Sequence, residues 1–114
     1  MNELYRILDA NLNRVSEGVR VLEDLARLGF DDAELCSELR GFRHAVRQGA
    51  VRVAGLCLAS RASDRDVGLD VSHTTRLDDK QSVPALATAN FKRVQEGLRV
   101  IEETLKLIGQ YQLS

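Results

Sequence analysis

The chain has 114 residues, of which 44% are hydrophobic, and 16 lysines and arginines balance 17 aspartates and glutamates. A chain of this length forms one hydrophobic core, so we expect a single domain over residues 1–114. The near-zero net charge disfavours nucleic acid and anionic membranes as main partners, but a local arginine cluster for a small anionic ligand fits within a neutral total.

Hydrophobic residues recur at helical spacing in three long segments, which predicts an all-α fold. The first helix is expected over about 3–28, with Gly29 as its C-terminal stop. The second is expected over about 32–59, where Asp31 or Asp32 caps the N-terminus.

The third helix is expected over about 83–108, with Ser82 as N-cap, Pro84 in the first turn and Gly109 at the end. The intervening segment, 60–81, lacks helical periodicity and is longer than most connections within a compact bundle. We therefore predict an antiparallel three-helix bundle with a long functional loop. We expect helices one and three to run parallel to each other, with helix two between them.

The first and third helices carry the same pattern of residues. The chain reads ANLNRVSEGVRVLEDLARLG from Ala10 and ANFKRVQEGLRVIEETLKLIG from Ala89, 79 residues later. On a helix, two neighbouring hydrophobic arcs in each copy flank a matching polar set at equivalent positions. These sets are Asn11, Arg14 and Gly18 in the first copy and Asn90, Arg93 and Gly97 in the second.

An arginine and an asparagine within a hydrophobic sector require partners, because an unpaired buried charge is heavily penalised. A glycine one turn further along leaves a notch beside them. We interpret the set as a pocket for a planar or phosphorylated ligand, since a guanidinium binds phosphate oxygens in pairs. The alternative is that the polar groups bond to the other helices and set their register.

The opposite face of each repeat is a ladder of charges. Its members are Glu17, Arg20, Asp24 and Arg27, then Glu96, Arg99, Glu103 and Lys106. Such pairs are typical of a solvent-exposed helix surface, which they stabilise by roughly 0.2–0.5 kcal/mol each. Only the duplication of the ladder keeps a catalytic role open.

A second polar cluster lies in the loop. Arg61, Asp64, Arg65, Asp66 and Gly68 fall within eight residues. Its aspartates are candidate ligands of Mg²⁺, which prefers carboxylate, phosphate and water oxygens. An ordinary polar turn is the alternative, because these residue types also favour turns.

These motifs together resemble the small all-helical hydroxymethylpyrimidine phosphate kinase family of thiamine biosynthesis. The resemblance rests on ANLNRVSEGVRVLEDLAR, the RHA of the second helix, RASDRDVG in the loop and ANFKRVQEGLRVIEE, and runs from about Tyr5 to Leu107. The domain also occurs fused in front of thiamine phosphate synthase. The family phosphorylates 4-amino-5-hydroxymethyl-2-methylpyrimidine phosphate to the diphosphate with ATP.

The resemblance implies roles for residues in all four motifs. Phosphate clamping falls to Arg14, Arg93, Arg43 and Arg61, and binding of substrate or nucleotide to Asn11, Glu17, Arg20, Asn90, Glu96 and Arg99. Where the family pattern suggests an aspartate directly after the loop arginine, this chain has Ala62. Either Asp64 or Asp66 is thus implied as the Mg²⁺ ligand, with Glu17 or Glu96 as further candidates.

The expected partners are ATP with Mg²⁺, a phosphorylated pyrimidine and further copies of the chain, and not nucleic acid or a membrane. The N-terminus lacks the apolar region of a secretory signal, so we expect a cytoplasmic protein. His44 and His73 have no role that the sequence identifies. A non-enzymatic helical module for oligomerisation or anion binding is the competing class.

Overall fold

The computed structural model describes residues 1–60 and 82–113, without the side chains of 57–60 and 113. Three helices form this part of the chain: α1 (Asn2–Asp24), α2 (Ala33–Ser60) and α3 (Val83–Leu113). A π-helical turn, Leu25–Gly29, continues α1. The described residues contain no strand, which confirms the all-α prediction. None of the described helices is both long and apolar enough to cross a membrane.

The starts of α2 and α3 follow the predicted capping. The Asp32 carboxylate accepts a hydrogen bond from the Leu35 amide at 3.0 Å, and the Ser82 hydroxyl accepts one from the Ala85 amide at 3.1 Å. Each cap satisfies an amide that has no partner within its helix. Of the two aspartates that the sequence offered as caps for α2, Asp32 is the one used.

The two glycines predicted to end helices have different outcomes. The helical segment that begins at Asn2 ends at Gly29, as predicted. None of the described glycines has a positive φ, whereas Asp31 has a φ of 53°. The left-handed residue that turns the chain after α1 is therefore Asp31, a residue type that tolerates this conformation better than most. The prediction that Gly109 ends the third helix is wrong, because α3 continues through Gly109 to Leu113.

α1 is the central helix and packs against both α2 and α3. Near the start of α1, Leu8 forms a hydrophobic cluster with Val53 of α2 and Ile108 of α3. Further along, Val15 and Val19, exposed by 1% or less, cluster with Val46 and Val94. The core thus lies along one side of α1, between the two flanking helices.

Contacts along α1 and α3 show that these helices are antiparallel. A Cβ built on Gly29, at the end of α1, would lie 3.7 Å from the side chain of Val83, at the start of α3. At the other end of the pair, Leu8 and Ile108 share a cluster. α2 is also antiparallel to α1, since it meets Glu23 through Arg43 and Leu8 through Val53.

The predicted arrangement of helices is therefore wrong in two respects. Helix α1 lies between the others, not α2, and α1 and α3 are antiparallel, not parallel. The physical reason is that the two repeats are complementary to each other and pack together directly, which leaves no place for α2 between them. Because α2 and α3 are both antiparallel to α1, the end of α2 and the start of α3 lie at opposite ends of the described structure. Apart from its first residue, the predicted loop over 60–81 lies outside the described residues.

Candidate functional site

The two repeats meet where α1 crosses α3, and their glycines form the contact. A Cβ on Gly18 would lie 2.8 Å from Cγ2 of Val94, and a Cβ on Gly97 would lie 2.7 Å from Cγ2 of Val15. Gly18 and Gly97 are equivalent in the repeat, as are Val15 and Val94. The contact is therefore reciprocal, as in an interface between two copies related by a two-fold axis.

The notches that we interpreted as a ligand pocket are filled by protein. Val94 occupies the space at Gly18, and Val15 occupies the space at Gly97. The backbone oxygens of Asn90 and Asn11 lie 3.4 Å and 3.5 Å from the two Cβ positions. The glycines let the helices approach closely, so the interpretation of these notches as ligand space is wrong.

The buried asparagines bond within their own helices. Asn11 Nδ2 donates to the Ile7 carbonyl and Asn90 Nδ2 donates to the Leu86 carbonyl, each at 2.9 Å. Asn11 is 7% exposed and Asn90 is 5% exposed, so these hydrogen bonds satisfy amides that have little access to water. Asn11 Oδ1 also accepts a hydrogen bond from Arg14 at 3.4 Å.

The repeat arginines lie beside this crossing. Arg14 is exposed and Arg93 is half-buried. The Cδ of Arg93 lies 3.5 Å from the Cβ position of Gly18, so its hydrocarbon stem packs on α1. Four of the predicted site residues thus lie at or beside the crossing, although the two arginines differ in exposure: Asn11, Arg14, Asn90 and Arg93.

The other predicted residues of the repeats are exposed. Glu17 and Glu96 each directly precede the glycine of the crossing. Arg20 and Arg99 follow it by two residues, about 200° around the helix, and so project away from the partner helix. Arg99 pairs with Glu103 at 3.4 Å and lines a shallow groove of about 460 Å³ on α3.

Arg43 belongs to a different cluster. Its guanidinium donates two hydrogen bonds to the carboxylate of Glu23, the second at 3.2 Å, and Arg40 lies 3.8 Å from the same carboxylate. The side chain of Glu23 is 5% exposed and that of Arg43 is 15% exposed. A buried carboxylate of α1 is therefore held by two arginines of α2.

The Glu23 cluster fixes the charge state of Arg43. The pKa of the Arg43 guanidinium is raised above its ordinary value because Glu23 accepts its hydrogen bonds; partial burial opposes this, and the negative charges of Glu23 and Asp24 support it. Glu23 lies nine residues after Arg14, about 180° around α1. Arg43 therefore contacts α1 on the side opposite to the one from which Arg14 projects, and the structure does not bring Arg43 to the crossing.

Glu23 and Arg40 were not among the residues predicted from the sequence. Glu23 follows Val19 by four residues, about 40° around the helix, and so lies in the hydrophobic sector. A carboxylate in such a sector needs a partner for the same reason as Arg14 did. That signal was present, but it was hidden by the neighbouring Asp24, which belongs to the exposed charge ladder.

Predicted metal ligands and one predicted arginine lie outside the described residues. These are Asp64, Asp66 and Arg61; His73 also lies there, and His44 is exposed on α2. Over residues 1–60 and 82–113, no group of three or more histidine, cysteine, aspartate or glutamate side chains is arranged to hold a metal ion. The predicted roles of Asp64 and Asp66 stay predictions.

Comparisons of the amino-acid sequence identify the family of the chain. The chain is 46% identical over 104 residues to a thiamine-phosphate synthase of Thermosynechococcus vestitus, 42% identical to one of a Nostoc species and 36% identical to one of Nostoc punctiforme. Each match covers 91% of this chain and 28% of the relative, so the chain spans little more than a quarter of these curated relatives. No solved structure matches it. The sequence model of the ThiD2 family matches residues 6–114, nearly the whole chain, and the chain therefore belongs to the ThiD2 family.

Proposed function

We propose that this protein phosphorylates 4-amino-5-hydroxymethyl-2-methylpyrimidine phosphate to its diphosphate with ATP, as a step of thiamine biosynthesis. The proposal is supported by the ThiD2 family match and by relatives named as thiamine-phosphate synthases. The observation that carries it is the position of Arg14 and Arg93 beside one helix crossing, where Arg14 bonds the buried Asn11 and the stem of Arg93 packs at Gly18. Two arginines beside one crossing suit a ligand that carries several phosphate oxygens.

The chemistry requires no general base from the protein. A phosphate monoester has a second pKa near 6, so its oxygens are already charged at neutral pH. One of these oxygens attacks the terminal phosphorus of ATP and forms the new P–O–P bond. The bond from that phosphorus to the bridging oxygen breaks, and ADP leaves with the electron pair.

The protein has to position two anions and offset their repulsion, which is most of catalysis in phosphoryl transfer. We assign the substrate phosphate and the transferred phosphoryl group to Arg14 and Arg93. Asn11 orients Arg14, because its Oδ1 accepts a hydrogen bond from the guanidinium while its Nδ2 bonds the Ile7 carbonyl at 2.9 Å. Asn90 bonds the Leu86 carbonyl in the same way, three residues before Arg93. An arginine side chain that is already ordered before the ligand binds loses less conformational entropy on binding.

Mg²⁺ would enter with ATP, bound to the nucleotide's own phosphate oxygens, and would neutralise part of their charge. Arg43 stays a predicted phosphate ligand by resemblance, but its bonds to Glu23 make it unsuited to release its partner for a phosphate. The residues of the crossing therefore carry the proposal.

The proposal is tested by ADP release from ATP and Mg²⁺, with and without the pyrimidine monophosphate. Arg14→Ala and Arg93→Ala are each expected to lower kcat/KM by roughly 10- to 100-fold, as loss of a charge-assisted bond of about 1.5–3 kcal/mol implies. Arg27→Ala is the matched control. Arg27 is an exposed arginine of the same segment whose partner is Asp24 at 3.8 Å, and its loss should leave turnover unchanged.

Two outcomes would contradict the proposal at different points. Absence of ADP release by folded wild-type protein would favour the non-enzymatic module. Wild-type kcat/KM in both arginine variants would leave the kinase activity in place and remove the crossing as its site.

A further inference from the structure

The two repeat helices differ in the exposure of one equivalent face. On α1 this face consists of Leu12, Val19 and Ala26, which are half-buried, 1% exposed and 1% exposed. The residues 79 positions later on α3 are Phe91, Leu98 and Leu105, which are 57%, 39% and 51% exposed. The same face is thus buried in one copy of the repeat and open in the other.

Helix α2 accounts for the difference. It packs along α1, where Leu12 lies 4.0 Å from the Cβ position of Gly49 and Val19 clusters with Val46. Between the described parts of α2 and α3, no Cα atoms approach within 8 Å. Phe91, Leu98 and Leu105 are here called the α3 stripe. Within residues 1–60 and 82–113, no helix packs on this stripe as α2 packs on its counterpart.

α2 carries a second open stripe with the same spacing. Leu35, Phe42 and Leu56 recur at multiples of seven residues, like the α3 stripe, and are 41%, 40% and 45% exposed. The half-buried Gly49 occupies the remaining position of this α2 stripe. Side chains spaced by seven are typical of helices that pack along one another.

Both stripes border the core. On α2, Leu39, Val46 and Val53 contact α1 and each follows a stripe residue by four positions. On α3, Val94, Ile101 and Ile108 contact α1 and each follows a stripe residue by three. A stripe residue four positions before a core residue is rotated about 40° from it, and one three positions before is rotated about 60° in the opposite sense. Because α2 and α3 are parallel and flank α1, these opposite rotations place both stripes on the same side of the molecule.

We propose that a second copy of the chain covers this side, with the α2 stripe of each copy packed on the α3 stripe of the other. One two-fold axis creates both contacts at once, so all exposed stripe residues are buried together. The stripes contain no charged side chain, which disfavours nucleic acid or an acidic peptide as occupant. The equivalent face of α1 is covered by the neighbouring face of α2, which carries Leu39, Val46 and Val53, so an apolar α2 surface suits this kind of stripe.

The assembly state of the full chain tests the proposal, independently of any catalytic activity. Sedimentation equilibrium should give about twice the chain mass of 12.7 kDa. Leu98→Glu on α3 and Phe42→Glu on α2 should each give monomers, because each variant places a charge in both contacts. Both residues are partly exposed in the single chain, so helicity by circular dichroism should be retained.

Val51→Glu is the matched control. Val51 is 72% exposed on α2 and lies nine residues from Phe42, on the opposite face of the helix, so this variant should remain dimeric. If Leu98→Glu loses helicity, Leu105→Gln replaces it as the test of the α3 stripe.

A monomeric wild-type chain at micromolar concentration would overturn the proposal, as would a dimer that survives Leu98→Glu. A dimer that is lost with Leu98→Glu but retained with Phe42→Glu would mean pairing of α3 with α3, which contradicts the proposed contact. Monomers from Val51→Glu would show that the stripes do not form the interface.

Discussion

At the scale of single residues, polar groups in hydrophobic sectors find their partners within the protein. Asn11 and Asn90 bond their own helices, while Glu23 joins α1 to α2 through Arg43 and Arg40. A buried ion pair contributes little beyond the cost of its desolvation, but removal of one partner leaves the other charge unpaired. The geometry of the Glu23 cluster therefore makes its integrity important for stability.

Replacement of Glu23 should be costly. Glu23→Ala leaves Arg43 nearly buried without its carboxylate and should lower the free energy of unfolding by about 3–5 kcal/mol. Glu102→Ala, at the equivalent but exposed position of α3, should change it by no more than about 0.5 kcal/mol. Urea unfolding of both variants measures the difference.

The loss in free energy of unfolding caused by Glu23→Ala should be the same at neutral and mildly alkaline pH. The folded pKa of Arg43 is raised, so its stabilising charge is complete at neutral pH and is lost only as the pH rises through a value beyond the range of ordinary arginine. A loss below 1 kcal/mol in Glu23→Ala would contradict the structural importance of the cluster.

At the scale of helices, the repeated motif forms a crossing of two complementary surfaces. The glycine of each repeat leaves space for the valine of the other: Val94 packs at Gly18, and Val15 packs at Gly97. The stiffness of valine makes this fit demanding, because a branched side chain has few ways to move aside. Because each repeat needs the other as its packing partner, this contact explains why the sequence contains the motif twice.

Gly18→Ala should destabilise the protein by about 1–3 kcal/mol, since the new methyl group would overlap Val94. Gly41→Ala is the control, because a Cβ at Gly41 meets nothing within 4 Å, and it should stabilise α2 by up to about 1 kcal/mol. Thermal or urea unfolding provides the values.

A double-mutant cycle makes the test specific to the pair. Gly18→Ala together with Val94→Ala should cost less than the sum of the single changes, by about 0.5–3 kcal/mol, because the smaller side chain makes room for the methyl group. Additive effects, or a Gly18→Ala variant as stable as Gly41→Ala, would mean that the helices adjust without strain.

The helices themselves were predictable, but their arrangement was not. Periodicity and the caps Asp32 and Ser82 follow from local chemistry, so three helices and most of their ends were correct. A hydrophobic arc does not specify which helix it contacts or in which direction. The sequence therefore identified Asn11, Arg14 and Gly18 as unusual and yet could not show that Gly18 faces Val94 instead of a ligand.

At the scale of the whole molecule, a two-fold core of α1 and α3 is covered on one side by a single α2. The core places two arginines beside the crossing, Arg14 exposed and Arg93 half-buried, and two arginines suit the proposed reaction between two phosphate-bearing molecules. Among the described residues, no second helix covers α3 as α2 covers α1. We propose that another copy of the chain binds on this open side. The proposed catalytic and assembly surfaces are thus separate consequences of one duplication.

Phosphorus NMR tests most directly whether the protein transfers a phosphoryl group from ATP to the pyrimidine monophosphate. With the protein, ATP and Mg²⁺, the monoester resonance should be replaced by two mutually coupled diphosphate resonances, with one ADP formed for each diphosphate. Formation of ADP and inorganic phosphate with the monoester unchanged, or no use of ATP by folded protein, would contradict the account.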